Sequence, residues 1–184
     1  MQSQIVLILL IAAIETITTA VYGRTCFNKN VTESSQFTLA SGEVMTIERF
    51  TCDNHPALAS PDPPSGLQKR QSSACSQSNC VCGIPCLFLD CNAPTRTIQA
   101  SHCTALAQQL EDMSGPFTIP ANEGLGFILQ SCEYTAFGSL TQSTQYCFHD
   151  MGVAALEIFS VCGTQQGACQ GQNNAGFFVD QIAL

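Results

Sequence analysis

Tryptophan is absent from this 184-residue chain, and only six of its residues are Lys or Arg. Trp and Tyr are the aromatic residues that combine an apolar ring with a polar tip at binding sites, so any such ring here must come from Tyr. The shortage of basic residues excludes two classes of partner, because binding to nucleic-acid phosphates and attraction to anionic lipid both need several Lys or Arg. We therefore expect no nucleic-acid partner and no attraction to anionic membrane surfaces, and the lack of a later apolar run of spanning length predicts no membrane insertion.

Hydrophobic runs of membrane-spanning length are also missing. The longest apolar run, Ile5 to Ile14, is shorter than the roughly 20 residues that a transmembrane helix needs. Small residues follow it at Thr18 and Ala20. A short polar start, an apolar run and a small-residue end are typical of a secretory signal peptide. We predict that residues 1–20 are a signal peptide, cut after Ala20 or Gly23, and that the protein is secreted and extracellular.

Sequence patterns of known catalytic sites do not occur. There is no G-x-S-x-G, H-E-x-x-H, phosphate-binding loop or nucleotide fingerprint. The neighbouring carboxylates Glu111 and Asp112 fall at consecutive positions of a predicted helix and therefore point in different directions. An even number of cysteines leaves no obligatory free thiol for Cys–His catalysis. We predict a non-enzyme that uses no cofactor.

Cysteine is the residue type that stands out by abundance. In a secreted chain an even cysteine count predicts disulfide bonds, although it leaves their pairing open. The dense stretch from residue 75 to 91 lacks the paired C-x2-C knuckles of zinc sites, which favours bridges over metal, and we predict no metal ligands. The predicted disulfide cysteines are Cys26, Cys52, Cys75, Cys80, Cys82, Cys86, Cys91, Cys103, Cys132, Cys147, Cys162 and Cys169.

The segment before the dense cysteines has features of a small unit of its own. The sequon Asn30-Val31-Thr32 predicts N-glycosylation of Asn30. The run "QFTLASGEVMTIERF" has two partly alternating halves separated by Ser41-Gly42, which predicts a β-hairpin that a bridge between Cys26 and Cys52 would staple.

A linker and a dibasic pair separate this unit from the rest. Residues 53–68 hold four of the eight prolines and predict an extended linker. Lys69 and Arg70 follow it directly, where a kexin-like secretory protease can bind the backbone without unfolding a domain. We therefore predict that residues 21–70 form a pro-segment, or a small N-terminal hairpin plus linker, that ends at a processing site, and that residues 71–184 form a cysteine-rich domain.

The predicted fold of that domain is α+β. Residues 71–96 lack a helical or strand period and are expected to be loops held by bridges. Apolar spacing predicts a helix that starts with Ser101 as N-cap and stops at Gly115, and a second helix over 144–162. Strands are predicted at 117–119, in one longer stretch to about Phe137, and in the final "GFFVDQIAL". The order predicts a small disulfide-rich domain with two helices packed on an antiparallel sheet.

Four polar-tipped side chains near the second strand and second helix are the candidate ligand contacts: Tyr134, Tyr146, His149 and Asp150. A His beside a carboxylate can orient a base or bind a hydroxyl group. The alternative interpretation is that Asp150 interacts favourably with the helix N-terminus while His149 is merely exposed. His102, at the start of the first helix, is predicted to be a surface residue.

Several segments carry a resemblance to a known family. From about Cys80 to Val179 the chain resembles the glycan-binding Y-three-like domains that mushrooms secrete. The resemblance rests on "CGIPC" at 82–86, the helix-opening Cys103, "GPFTI", "SCEYTAFG", "QYCFHD", "CGTQQGAC" and a final "FFV". It implies a disulfide-bonded α/β fold, recognition of cell-surface glycans and formation of a homodimer.

A second, weaker similarity is to secreted fungal necrosis-inducing effectors and virally encoded killer toxins. These proteins share the order of helix, strand and bridged cysteines, and the similarity implies a toxin or effector. From the residues and the first resemblance together we predict a secreted, lectin-like fungal protein that binds glycans without catalysis; the effector is the alternative.

Overall fold

The computed structural model describes residue 26 and residues 28–39, 41–53, 75, 78–92, 96–172 and 176–184, with positions 88 and 89 described for the backbone alone. The predicted signal peptide and the Lys69-Arg70 processing site lie outside these residues. The elements, in chain order, are β1 Asn30–Thr38, β2 Val44–Thr51, β3 Cys86–Asn92, α1 Ala100–Asp112, β4 Pro116–Ile119, β5 Gly124–Leu129, β6 Cys132–Phe137, β7 Thr144–Cys147, α2 Phe148–Cys162, β8 Gln166–Gly171 and β9 Phe178–Ala183.

Seven of the strands form one sheet, in the order β1-β2-β5-β6-β9-β8-β3, and every neighbouring pair in it is antiparallel. Strands β4 and β7 form a separate antiparallel pair. The two helices pack against each other and on the large sheet. This arrangement confirms the predicted fold class, a small disulfide-rich α+β domain with two helices on an antiparallel sheet.

The predicted N-terminal hairpin is present as β1 and β2, joined by a turn through Ser41 and Gly42. Gly42 has a φ of 86°, which suits glycine because it has no Cβ to clash. Strand β2 also pairs with β5, from Thr46 opposite Ile128 to Phe50 opposite Gly124. The hairpin therefore supplies two strands of the sheet to which the later cysteine-rich segments belong.

The strand predictions were wrong in three places, one of which is β8, Gln166–Gly171, where no strand was predicted. Residues 86–92 are not a loop but β3, which pairs with β8 along the edge of the sheet. The single long strand predicted to end near Phe137 is two strands, β5 and β6, that turn at Gln130, whose φ is 54°. The turn places Leu129 opposite Cys132, so this stretch forms a hairpin inside the sheet.

The helix boundaries also differ from the prediction. Gln99, rather than Ser101, is the N-cap of α1; it makes no side-chain cap, and its backbone N–H donates to Ser131 Oγ at 3.0 Å. Helix α2 begins at Phe148 because Thr144–Cys147 pair with β4 as β7 instead of joining the helix. Gly163 follows the end of α2 as predicted, with a φ of 60°.

Both faces of the central strands are buried. Successive side chains of a strand point to opposite faces, so Phe127 and Tyr134 belong to the core under the helices. Thr135, Phe137 and Asp180 point to the opposite side, here called the second face. All three are buried. Apolar and polar groups are therefore buried together on the second face.

All twelve cysteines form disulfides, and this confirms the prediction that they are bridged. Five bridges lie within residues 75–169, whereas Cys26 and Cys52 pair with each other. No bridge connects the hairpin with the later part of the chain. The pairs are Cys26–Cys52, Cys75–Cys80, Cys82–Cys147, Cys86–Cys169, Cys91–Cys162 and Cys103–Cys132.

Candidate functional site

Tyr134, one of the predicted ligand contacts, is an interior residue of β6 with 0% of its surface exposed. Its hydroxyl donates to Gln181 Oε1 at 2.9 Å. The Gln181 amide in turn donates to the backbone carbonyls of Gly163 and Gln165, at 2.9 and 2.6 Å. Burial raises the pKa of the Tyr134 hydroxyl. The phenol therefore anchors the turn after α2 to the sheet and is not available to a ligand.

Tyr146, the second predicted tyrosine, is only 1% exposed. Its ring packs on Phe177 at a centroid distance of 4.6 Å and on Phe117 at 5.8 Å. Burial, with smaller contributions from the charges of Asp150 and Glu157, raises the pKa of its hydroxyl. The prediction that Tyr134 and Tyr146 contact a ligand is therefore corrected: long-range strand pairing places both rings in the core.

His149 lies in the first turn of α2 and is exposed. Its Nδ1 is 2.9 Å from the backbone carbonyl oxygen of Glu111, near the end of α1. Because a carbonyl oxygen only accepts hydrogen bonds, Nδ1 carries the proton, and Nε2 of the neutral ring is an acceptor. The contact holds the imidazole in one orientation at the junction of the two helices.

Asp150, next to His149, is half-buried and accepts a hydrogen bond from the backbone N–H of Gly83 at 2.7 Å. The Cys82–Cys147 bridge ties the same loop to the residue before α2. Asp150 also has the charge that suits a helix N-terminus. The Asp150 carboxylate therefore ties the 82–85 loop to α2, and its Oδ2 is occupied by this structural hydrogen bond.

The surface formed by these contacts is called here the α2 N-terminal cluster: His149, Asp150, the 82–85 loop, the end of α1 at Glu111, and the 113–116 loop. The 113–116 loop joins it because Phe148 N donates to Gly115 O at 3.2 Å. Ser114, Gly115 and Pro116 are exposed. Three chain segments are thus held around one exposed histidine by a disulfide and three hydrogen bonds.

Two groups of side chains have the spacing of metal ligands, but their sulfur atoms are in disulfides. They are Cys75, Cys80 and Cys82, and Cys82, Cys147 and Asp150. Sulfur binds metal as a thiolate, and each of these cysteines is bridged. The Cys75–Cys80 and Cys82–Cys147 distances follow from the bridges, and their sulfur atoms are not available as thiolates.

A second set of polar side chains, which sequence reasoning missed, lies on the second face. Glu133 of β6 is 1% exposed, and its Oε1 accepts from Lys29 Nζ at 2.6 Å. Lys29 also pairs with Glu48 Oε2 at 2.7 Å and lies over the Phe50 ring. Burial raises the pKa of the Glu133 carboxyl, Lys29 opposes that shift, and Glu48 adds to it. A cation from the N-terminal segment thus compensates a buried acid of the C-terminal part.

Asp180 and Thr135 lie beside this pair, opposite each other on β9 and β6. Burial, reinforced by the charges of Asp90 and Glu133, raises the pKa of the Asp180 carboxyl well above its usual range. Within the described part of the chain, the Thr135 hydroxyl has no hydrogen-bond partner. Strand alternation in "CEYTAF" would have grouped Glu133 with Thr135, but only the pairing of β6 with β9 brings Asp180 to them.

Comparisons with protein-family models, with curated proteins and with solved structures gave no match for this chain. None of the helices in the described ranges is both long enough and apolar enough to span a membrane. The site must therefore be interpreted from its own geometry.

Proposed function

We propose that this protein is a secreted, non-catalytic carbohydrate-binding protein that presents the α2 N-terminal cluster to cell-surface glycans. The observation that carries the proposal is the exposed His149 ring, oriented by its contact with the Glu111 carbonyl. An oriented acceptor on a cross-linked surface loses little conformational entropy when it binds a sugar hydroxyl. The resemblance to the Y-three-like domains supports the same class of ligand.

Charge supports a neutral, hydroxyl-rich ligand. The formal net charge of the chain is −8, and the exposed Asp112 directly follows Glu111 of the cluster. Such a surface repels phosphate and sulfate groups but can accept hydrogen bonds from sugar hydroxyls.

The test is a glycan array with the secreted protein, followed by calorimetric titration of the best sugar. We expect His149→Ala to weaken binding about tenfold, which corresponds to about 1.4 kcal/mol. His102→Ala is the matched control, because that ring is half-buried against Ser131, away from the cluster. Unchanged affinity in His149→Ala, with the control also unchanged, would remove the cluster from the proposal.

One observation favours the alternative, an effector or toxin that recognises a protein. Strand β1 is exposed at all nine residues and lies at the edge of the sheet. Its Phe37 is 49% exposed, and Val44 on the neighbouring strand is 47% exposed. An edge with unpaired backbone groups and apolar side chains can pair with a strand of another protein. Cell killing or protein binding that no sugar inhibits would favour this alternative.

A further inference from the structure

The predicted processing site separates two parts of the molecule that share one sheet. They are called here the N-terminal hairpin, Cys26–Asp53, and the cysteine-rich body, residues 75–184. Lys69 and Arg70 fall between them in the sequence. The Cys26–Cys52 bridge is internal to the hairpin and the other five are internal to the body. A cut at the dibasic pair would therefore leave no covalent link between the two parts.

Backbone pairing is the first contact that would survive such a cut. Strand β2 lies between β1 and β5, and it pairs with β5 over five successive residue pairs. Without the hairpin, β5 would become an edge strand with the sequence GLGFIL, which has neither charge nor proline. Exposed strands of that composition are prone to aggregate. Without the hairpin, the body would therefore expose an aggregation-prone strand, which the pairing of β2 with β5 covers.

Side-chain packing is the second contact. Met45 and Phe50 of β2 are fully buried. The Phe50 ring meets the Phe137 ring of the body edge-to-face, with centroids 5.6 Å apart. Gly124 makes this possible, because a Cβ at that position would lie 2.6 Å from Phe50 and 2.9 Å from Phe137. Two apolar side chains of the hairpin are thus part of the core.

Charge is the third contact. The body contains a single basic residue, Arg96, whereas its buried Glu133 is paired with Lys29 of the hairpin at 2.6 Å. Gly126 leaves the space for this pair, because a Cβ there would overlap Glu133 Oε1. Arg49 of the hairpin adds a contact to Glu123 of the body at 3.4 Å. Loss of the hairpin would leave a buried carboxyl without its cation.

We propose that cleavage after Arg70 does not release the hairpin, and that the processed protein is a non-covalent complex of two chains. The N-terminal chain is the specific partner of the β5 edge, to which it contributes β1 and β2, the Phe50 ring and the Lys29 ammonium group. This differs from a pro-segment that is discarded, and it does not depend on which ligand the body binds.

The test compares the secreted full chain with a Lys69→Ala/Arg70→Ala variant after treatment with a kexin-type endoprotease. We expect two chains from the native sequence on denaturing electrophoresis without reductant, but one complex by native mass spectrometry and size exclusion at neutral pH. The double variant should stay one chain. A body free of the hairpin under native conditions would overturn the proposal, as would failure of the protease to cut.

A second measurement checks that the named contacts hold the complex. In the cleaved protein, Phe50→Ala and Lys29→Met should each raise the dissociation rate of the hairpin at least tenfold. Ser34→Ala, on the exposed strand β1, is the matched control and should leave the rate unchanged. Equal rates in all four proteins would show that the hairpin is not held at this interface and would overturn the assignment.

Discussion

The N-terminal hairpin and the cysteine-rich body share one sheet but are stabilised by different interactions. The body has five disulfides. The hairpin has one disulfide, yet every ion pair found in the described ranges includes its Lys29 or its Arg49. Cross-links therefore stabilise the acidic body, whereas strand pairing, side-chain packing and ion pairs attach the hairpin to it. Reductant should therefore weaken the body more than it weakens the attachment of the hairpin.

The largest expected effect comes from removing disulfides of the cysteine-rich body. Cys86–Cys169 encloses Cys91–Cys162, and both bridges hold β3. With one bridge intact, the loop closed by the other is short, so either Cys→Ala pair should cost about 3 kcal/mol. Replacing all four cysteines also opens the somewhat longer loop that the intact Cys82–Cys147 bridge closes with this pair, and it should cost about 6.5 kcal/mol in total.

Guanidinium chloride denaturation without reductant measures these costs. The control is Cys26→Ala/Cys52→Ala, a bridge with no second one nested in its loop, which we expect to cost about 3.5 kcal/mol. A quadruple variant that costs no more than either double variant would contradict this prediction.

The next effect breaks the packing between the two parts. Phe50→Ala removes a fully buried ring that lies against Phe137, and it should cost about 3–5 kcal/mol of unfolding free energy. Phe37→Ala is the matched control, since that side chain is 49% exposed, and its effect should stay within about 0.5 kcal/mol. Equal effects of the two substitutions in thermal or denaturant unfolding would contradict the assigned core.

A smaller effect tests charge. Lys29→Met removes the cation of buried Glu133, and at pH 7 it should cost about 1.5–3 kcal/mol, the range for hydrogen bonds to charged groups. Burial already raises the folded-state pKa of Glu133, so its stabilising contribution is present below the unfolded pKa and is lost as pH rises through the folded value. Without Lys29 the folded-state pKa of Glu133 rises further, so the free energy of unfolding falls by more at neutral pH.

Unfolding curves from pH 3.5 to pH 7.5 check this prediction. The cost of Lys29→Met should shrink toward acid pH, where Glu133 is protonated in both proteins. Glu33→Gln is the control, because that carboxylate pairs with Arg49 at the surface and such pairs contribute about 0–1 kcal/mol. A cost that does not change with pH would show that Lys29 acts through packing on Phe50.

The smallest expected effect concerns Asp180, which is buried within the body. Its raised pKa means that its stabilising contribution is present below its unfolded pKa and is lost as pH rises through the folded one. Asp180→Asn should therefore raise Tm at pH 7 and leave it nearly unchanged at pH 3. Asp112→Asn, at an exposed position, is the control. A lower Tm at pH 7 would mean that ionised Asp180 has favourable contacts in the fold.

The sequence alone predicted the class of fold, the bridged state of the cysteines, the N-terminal hairpin and the two helices, because these follow from composition and from patterns a few residues long. Cysteine count, the Ser41-Gly42 turn and the spacing of Leu106 and Leu110 are such local signals. Helix α2 was predicted to start too early. Residues 144–147 form a strand by pairing with β4, and a local pattern does not indicate this pairing.

Tertiary structure alone decided the pairing of the cysteines, the position of β2 beside β5 and the burial of Tyr134 and Tyr146. Each depends on contacts between residues far apart in the chain, for which a local pattern holds no information. A tyrosine in a strand looks the same in sequence whether its face meets solvent or a helix. The same is true of Lys29, whose role as the cation of Glu133 exists only because the sheet places the hairpin against the body.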